Sequence, residues 1–312
     1  MAKLSILPLM GIIALAWEAE STRATPPTLD GIDPPNQAGV VDGSGTQRSP
    51  QEIVKDAVRA LESQNSVSAK ISQEINLFGK KLIGSGGYLE QQMGDIRLMW
   101  LSLTIQLGDD CSSLLQVCDG RFLWTRTKSF DSEQLRRIDV ISATKALEKA
   151  KRMPPQGSAG ILHSLGGLCK LMQRLHDTFV FTSVQPGLLK MQSGQLPVWQ
   201  LRGRWKPGYV AKVLPEQKET IESGKPADLS KLPRHLPDHV LLTLGQVDLF
   251  PYRIEYRRAD GKGGTKPLVT IHLSHVTTNV PIDPNRFQYN PGDMKFEDET
   301  DLFLRRRGVK RE

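Results

Sequence analysis

From Met99 the apolar residues fall on every second position, Met99, Leu101, Leu103, Ile105 and Leu107, with polar Ser102, Thr104 and Gln106 between them. A period of two sends alternate side chains to opposite faces, so this stretch predicts a strand with one buried face. Asp109-Asp110 interrupts it. Residues 112–118, the pair Asp119-Gly120 and residues 121–128 then predict a hairpin, because Asp-Gly readily takes the positive φ angles of a tight turn. Upstream, Ala69, Ile71, Ile75 and Leu77 alternate in an earlier strand, and Gly84-Ser85-Gly86-Gly87-Tyr88 lies in or near the next. Downstream, residues 179–184, 188–192 and 196–206 read as strands joined by Pro186-Gly187 and Ser193-Gly194. In the third, Trp199, Leu201 and Trp205 face one way and Gln200, Arg202 and Arg204 the other. Residues 240–244 open a last section, where Phe250, Tyr252, Ile254 and Tyr256 alternate with Arg253, Glu255 and Arg257. After a turn at 260–264, Val269, Ile271 and Leu273 begin the return strand.

Three stretches change to helical spacing. Ser49 or Pro50 introduces a helix with Ile53, Ala57, Val58 and Leu61 on one face and Glu52 in its first turn. Residues 142–152 form a polar helical stretch broken by Pro154-Pro155. A more apolar helix is expected over 158–176, with Leu165, Leu168, Leu171, Met172 and Leu175 in a wide stripe. Gly166-Gly167 sits in its middle, where it costs helix stability and allows a bend or close packing. Consecutive antiparallel strands with one apolar face need a cover, and this helix is a natural one. The fold class is therefore α+β, built on one large antiparallel sheet. Residues 207–237, rich in Lys, Glu and Pro, read as an irregular or partly helical insertion.

The N-terminus sets the compartment. Lys3 precedes a largely apolar run, 4–16, ending Ala14-Leu15-Ala16, which is the layout of a secretory signal. The run is shorter than the roughly 20 residues of a spanning helix; an uncleaved anchor or an ordinary buried segment is the alternative. Residues 17–50 carry Pro-Pro and Gly-Ser-Gly stretches and read as a flexible linker. The folded domain is expected over 51–300, with a basic C-terminal tail at 301–312. The chain of 312 residues has a net charge of +7, spread over polar strand faces apart from Arg305-Arg306-Arg307 and Lys310-Arg311. Such an end can touch an anionic membrane surface, and export argues against nucleic acid.

Catalytic chemistry is hard to place. His235 and His239 have Pro237 between them, and His272 and His275 fall on opposite faces of a strand, so no metal site is expected. The chain has neither a Gly-x-Ser-x-Gly elbow nor a phosphate loop. The glycines at 84–87 lie between strand patterns and read as a bent or twisted strand rather than a dinucleotide loop. No carboxylate pair stands out as acid and base, so neither an enzyme nor a cofactor is expected. Three cysteines are too few for a disulfide scaffold. Cys111 and Cys118 at the two ends of one strand would stand roughly 23 Å apart, beyond the ~7 Å a disulfide tolerates. Free thiols, or one of the two joined to Cys169, remain.

Two segments carry a resemblance. Cys118-Asp119-Gly120-Arg121-Phe122-Leu123-Trp124, and Asn279-Val280-Pro281 through Arg286-Phe287 with Tyr289-Asn290-Pro291-Gly292, are similar to the hairpin and closing segments of the periplasmic lipoprotein carriers of the LolA/LolB type. The likeness covers roughly residues 50–300. It implies a periplasmic protein whose sheet curves into an incomplete barrel, with helices on its concave side and an apolar cavity for acyl chains of a lipid or lipoprotein. Transient contact with membrane proteins is implied too. The insertion at 207–237, the linker and the basic end depart from that family. The candidate lining is Met99, Leu101, Leu103, Ile105, Trp199, Leu201, Phe250, Tyr252, Ile254, Val269 and Ile271, with Leu165 and Leu168 of the covering helix. The alternative is an exported scaffold or sensor of the same fold, its core filled and its outer surface binding a protein partner. Periodicity cannot separate the two, because cavity-lining and core residues are equally apolar.

Overall fold

Ser49 starts the first helix, α1 (Pro50–Glu62), through a reciprocal cap. The Glu52 N–H donates to Ser49 Oγ at 3.2 Å, and the Ser49 N–H donates to Glu52 at 2.8 Å. The structure is a computed structural model describing residues 40–41, 47–77, 79–94, 96–107, 110–129, 132–150, 167–191, 194–261 and 263–309. The expected signal at 1–16 lies outside the described residues. Within the stretch read as linker, β1 (Val40–Val41) pairs with β2 (Gln47–Arg48).

Antiparallel strands follow α1: β3 (Ser66–Leu77), β4 (Lys80–Met93), β5 (Ile96–Leu107), β6 (Asp110–Cys118), β7 (Phe122–Ser129) and β8 (Ser132–Asp139). The helices α2 (Val140–Lys149) and α3 (Gly167–Thr178) come next. Asp139 accepts the Ser142 N–H at 2.9 Å, which starts α2 ahead of the expected residue 142. The chain returns through β9 (Phe179–Met191) and β10 (Gly194–Trp205). The insertion is partly helical, with α4 (Pro207–Val213) and α5 (Lys218–Glu222) around their own small core of Val210, Leu214, Ile221 and Leu232. Then come β11 (His239–Gly245), β12 (Pro251–Ala259) and β13 (Thr265–Thr278), and finally β14 (Glu297–Asp298) and α6 (Thr300–Arg306).

Among the described residues these strands form one twelve-stranded sheet in the order β14-β8-β7-β6-β5-β4-β3-β13-β12-β11-β10-β9. The β14–β8 pair is parallel and all the others are antiparallel. Its two ends do not meet, so the sheet is an incomplete barrel with helices against one face. Ile53, Val54, Ala57 and Leu61 of α1 and Met172 and Leu175 of α3 pack with Leu201, Leu242 and Ile254 of the sheet into the main core.

Two expectations change. Pro186-Gly187 does not turn the chain: β9 runs straight through it. As the sheet's terminal strand, β9 pairs on one side only, and there a proline's missing N–H is tolerated. Of the helix expected over 158–176, residues 158–166 lie outside the described residues; α3 is described from Gly167, whose φ of +85° puts it in the left-handed region. The second change is at the expected tail: residues 300–309 are folded, with Phe303, Leu304 and Val309 buried in the core. Arg137 of β8 pairs with Asp298 at 2.6 Å and stacks on Phe122 and Phe296 at 4.6 and 4.5 Å, pinning this segment.

Candidate functional site

Five neighbouring strands at the centre of the sheet, β5, β4, β3, β13 and β12, leave a hollow on their concave side. Ile71 and Gln73 come from β3, Tyr88 from β4, Leu101 and Leu103 from β5, Tyr256 from β12, and Val269, Ile271 and Leu273 from β13. Gly167, Leu168, Lys170 and Leu171 of α3 close it from the other side. The cavity is open to the surface and has a volume of about 80 Å³. A single water-sized sphere occupies roughly 15 Å³.

The strand register explains why there is space. Across the sheet, Ile254 stands opposite Ile271, Ile271 opposite Gln73, Gln73 opposite Gly84 and Gly84 opposite Ile105. In the next row of the same face, Leu273 opposes Ile71, which opposes Gly86, which opposes Leu103. No side chain therefore rises from β4 between Leu82 and Tyr88 on this face. Gly86 has a second reason to be glycine: a Cβ there would stand 1.8 Å from the Ser102 carbonyl oxygen.

Tyr88 joins the wall to the covering helix. Its phenol accepts the Leu168 N–H at 3.1 Å and donates to Glu90. Burial first, and the adjacent Glu90 carboxylate second, hold the phenol well above its usual pKa, so it stays a donor. Glu90 is in turn paired with buried Arg97, whose Nη2 donates to the Glu62 and Gln64 carbonyls at 3.1 and 3.0 Å at the end of α1. One polar chain thus ties α1, β4, β5 and α3 together beside an apolar hollow.

The hollow gathers Leu101, Leu103, Leu168, Val269 and Ile271 from the expected lining. Met99 lies against it, its sulfur 3.3 Å from where a Gly167 Cβ would be. Ile105 belongs to a separate cluster with Ile75, Leu77 and Leu82. Leu201, Phe250, Tyr252 and Ile254 are buried in the main core, with half-buried Trp199 packed against it. Leu165 lies outside the described residues. Gln73, Tyr88 and Lys170 are additions that alternation of apolar residues does not flag, and Ile71, Leu171, Tyr256 and Leu273, whose spacing was apparent, join the lining as well. Burial raises the Tyr256 phenol pKa as well.

No group of histidines, cysteines and carboxylates that could hold a metal occurs among the described residues, and no described helix is long and apolar enough to cross a membrane. All three cysteines are free thiols. Burial pushes the Cys118 thiol up to about 12 and raises Cys169 as well, with Glu62 nearby.

No protein-family model matches the sequence, and no curated protein matches it. Among solved structures the likeness is remote. The Pseudomonas aeruginosa MucA/MucB complex aligns at 11% identity and TM-score 0.38 over 77% of this chain and 61% of that one. LprF from Mycobacterium bovis aligns at 13% and 0.37 over 78% of this chain and 97% of that one. A putative outer membrane lipoprotein-sorting protein domain from Vibrio parahaemolyticus aligns at 10% and 0.30 over 76% and 95%. The chain thus spans about three fifths of the MucB-complex chain it matches.

Proposed function

We infer that this chain is an exported, non-enzymatic binding protein that seats part of an acyl chain, from a lipid or lipoprotein, in the central hollow. The observation that supports this reading is an apolar cavity on the concave face at a point where two glycines and the helix start leave space. On β10, β11 and β12, by contrast, Leu201, Leu242, Leu244 and Ile254 are buried in the main core. Its size sets the scale of the binding. At about 80 Å³ the cavity takes a run on the order of five methylenes. Each methylene removed from water contributes about 0.8 kcal/mol, so the seated segment supplies about 4 kcal/mol, the scale of a millimolar affinity. Tighter holding needs more of the chain covered than this hollow alone covers.

The test is titration of a fluorescent fatty acid into the wild type and three variants. Leu171→Phe fills the hollow with apolar volume and Ile271→Asp places a carboxylate in its wall. Arg202→Asp changes an exposed residue away from it. The first two should weaken binding at least tenfold and the third should leave it within twofold, with thermal melts confirming that each variant is folded. A folded wild type that binds no acyl probe, and carries none from the cell by native mass spectrometry, overturns the reading in favour of the partner-binding scaffold.

A further inference from the structure

Gln73 is out of place in its row. On the concave face of β3 it follows Ala69 and Ile71 and precedes Ile75 and Leu77, with Ile271 and Gly84 on the flanking strands. It is only 4% exposed, yet it lines the cavity. Its Oε1 accepts no hydrogen bond from any described residue. By contrast, the other buried glutamine with an unsatisfied oxygen, Gln116, still anchors its amide nitrogen on Thr125 at 3.2 Å and lies off the cavity. A buried acceptor without a partner is destabilising. A leucine here would complete the apolar row and avoid that cost.

We propose that Gln73 recognises a ligand whose alkyl chain carries an uncharged hydrogen-bond donor, a hydroxyl or an amide N–H, within the buried segment. This rests on the acyl-binding reading and narrows it to a chemical class. The donor must be uncharged, because Ile71, Val269 and Ile271 beside Gln73 are apolar and disfavour an unpaired charge, and the charged Lys170 across the hollow disfavours a second cation. An ester or ether offers only acceptors and leaves Gln73 Oε1 unserved. The carboxamide has an N–H₂ as well as a carbonyl, so a primary amide can engage both ends and a hydroxyl can engage either.

The experiment compares 1-octanol and octanamide, which carry donors, with octyl methyl ether, which does not, by competition against a fluorescent fatty acid. It uses the wild type, Gln73→Leu and the near-isosteric Gln73→Met. Differences in probe hydration cancel when each donor-to-ether affinity ratio is compared between proteins. The ratio should be about tenfold higher in the wild type than in either variant, with ether binding unchanged or tighter in the variants. The ligand-free variants should also melt higher than the wild type. If Gln73→Leu does not fold, Gln73→Met carries the comparison. Equal ratios in wild type and variants, with all probes binding, overturn the role of Gln73 and leave the cavity reading standing. No binding of any probe to any of the proteins overturns both.

Discussion

The phenolic oxygen of Tyr88 accepts the backbone N–H of Leu168 at 3.1 Å, joining the wall of the hollow to the first turn of its covering helix across 80 positions of sequence. Gly167 is shaped by the same contact: a Cβ there would lie 2.6 Å from that oxygen, and its φ is already +85°. Tyr88→Phe leaves the helix N–H and Glu90 each short of a partner and should cost about 1–3 kcal/mol. Gly167→Ala adds backbone strain to a close contact and should cost about as much. Urea unfolding should show a lower midpoint at unchanged slope. Unchanged midpoints would remove the helix from the wall.

The buried Glu90–Arg97 pair predicts non-additive energetics. Arg97→Met strands a buried carboxylate and frees two carbonyls, and should destabilise by about 3–5 kcal/mol. Replacing both, Arg97→Met with Glu90→Leu, should recover much of that loss. Equal losses in the single and double variants would contradict the pairing.

Much of the fold was legible because alternation is a local property. Met99 through Ile105, the Cys118–Phe122 hairpin and the helix begun by Ser49 all follow from neighbours in sequence. Strand order is not local, and that is why Pro186-Gly187 reads as a turn: only the finished sheet shows that β9 is an edge. The site was half legible for a similar reason. A period of two tells which face Leu201 and Ile271 share but not which part of it α1 fills; Leu201 is core and Ile271 lines the hollow. The missed signal was an interruption. Gln73 breaks the apolar row of β3, and Gly84 and Gly86 leave two gaps beside it.

Stability should fall as pH drops through the histidine range. His239 and His272 are both held below the ordinary value of 6.5, chiefly by burial and then by Arg202 and Arg253 respectively. Asp238 and Glu255 beside His239, and Glu255 and Glu74 beside His272, act the other way, while Arg257 adds to the lowering at His239. With both folded pKa values depressed, the unfolded chain binds more protons in this window. Stability is therefore full above the unfolded pKa and is lost as pH falls towards the folded values. Melts from about pH 7.5 to about pH 5.5 should show a decline that His239→Gln with His272→Gln reduces. A flat wild-type profile would contradict it.

Chain length should matter only as far as the hollow reaches. For a series of straight-chain alcohols, affinity should rise roughly fourfold per added methylene, the equivalent of about 0.8 kcal/mol. The rise should level off after on the order of five to six carbons are seated. A steady rise to long chains would show that the concave face opens further than its present hollow.

The most direct measurement is photocrosslinking with a fatty acid that carries a diazirine near its methyl end, followed by peptide mapping. Acyl binding in the central hollow predicts adducts on β3, β5, β13 and α3, concentrated around Ile71, Leu101, Ile271 and Leu171 and suppressed in Leu171→Phe. Adducts confined to the outer face of the sheet, or none above the level of a denatured control, would contradict it.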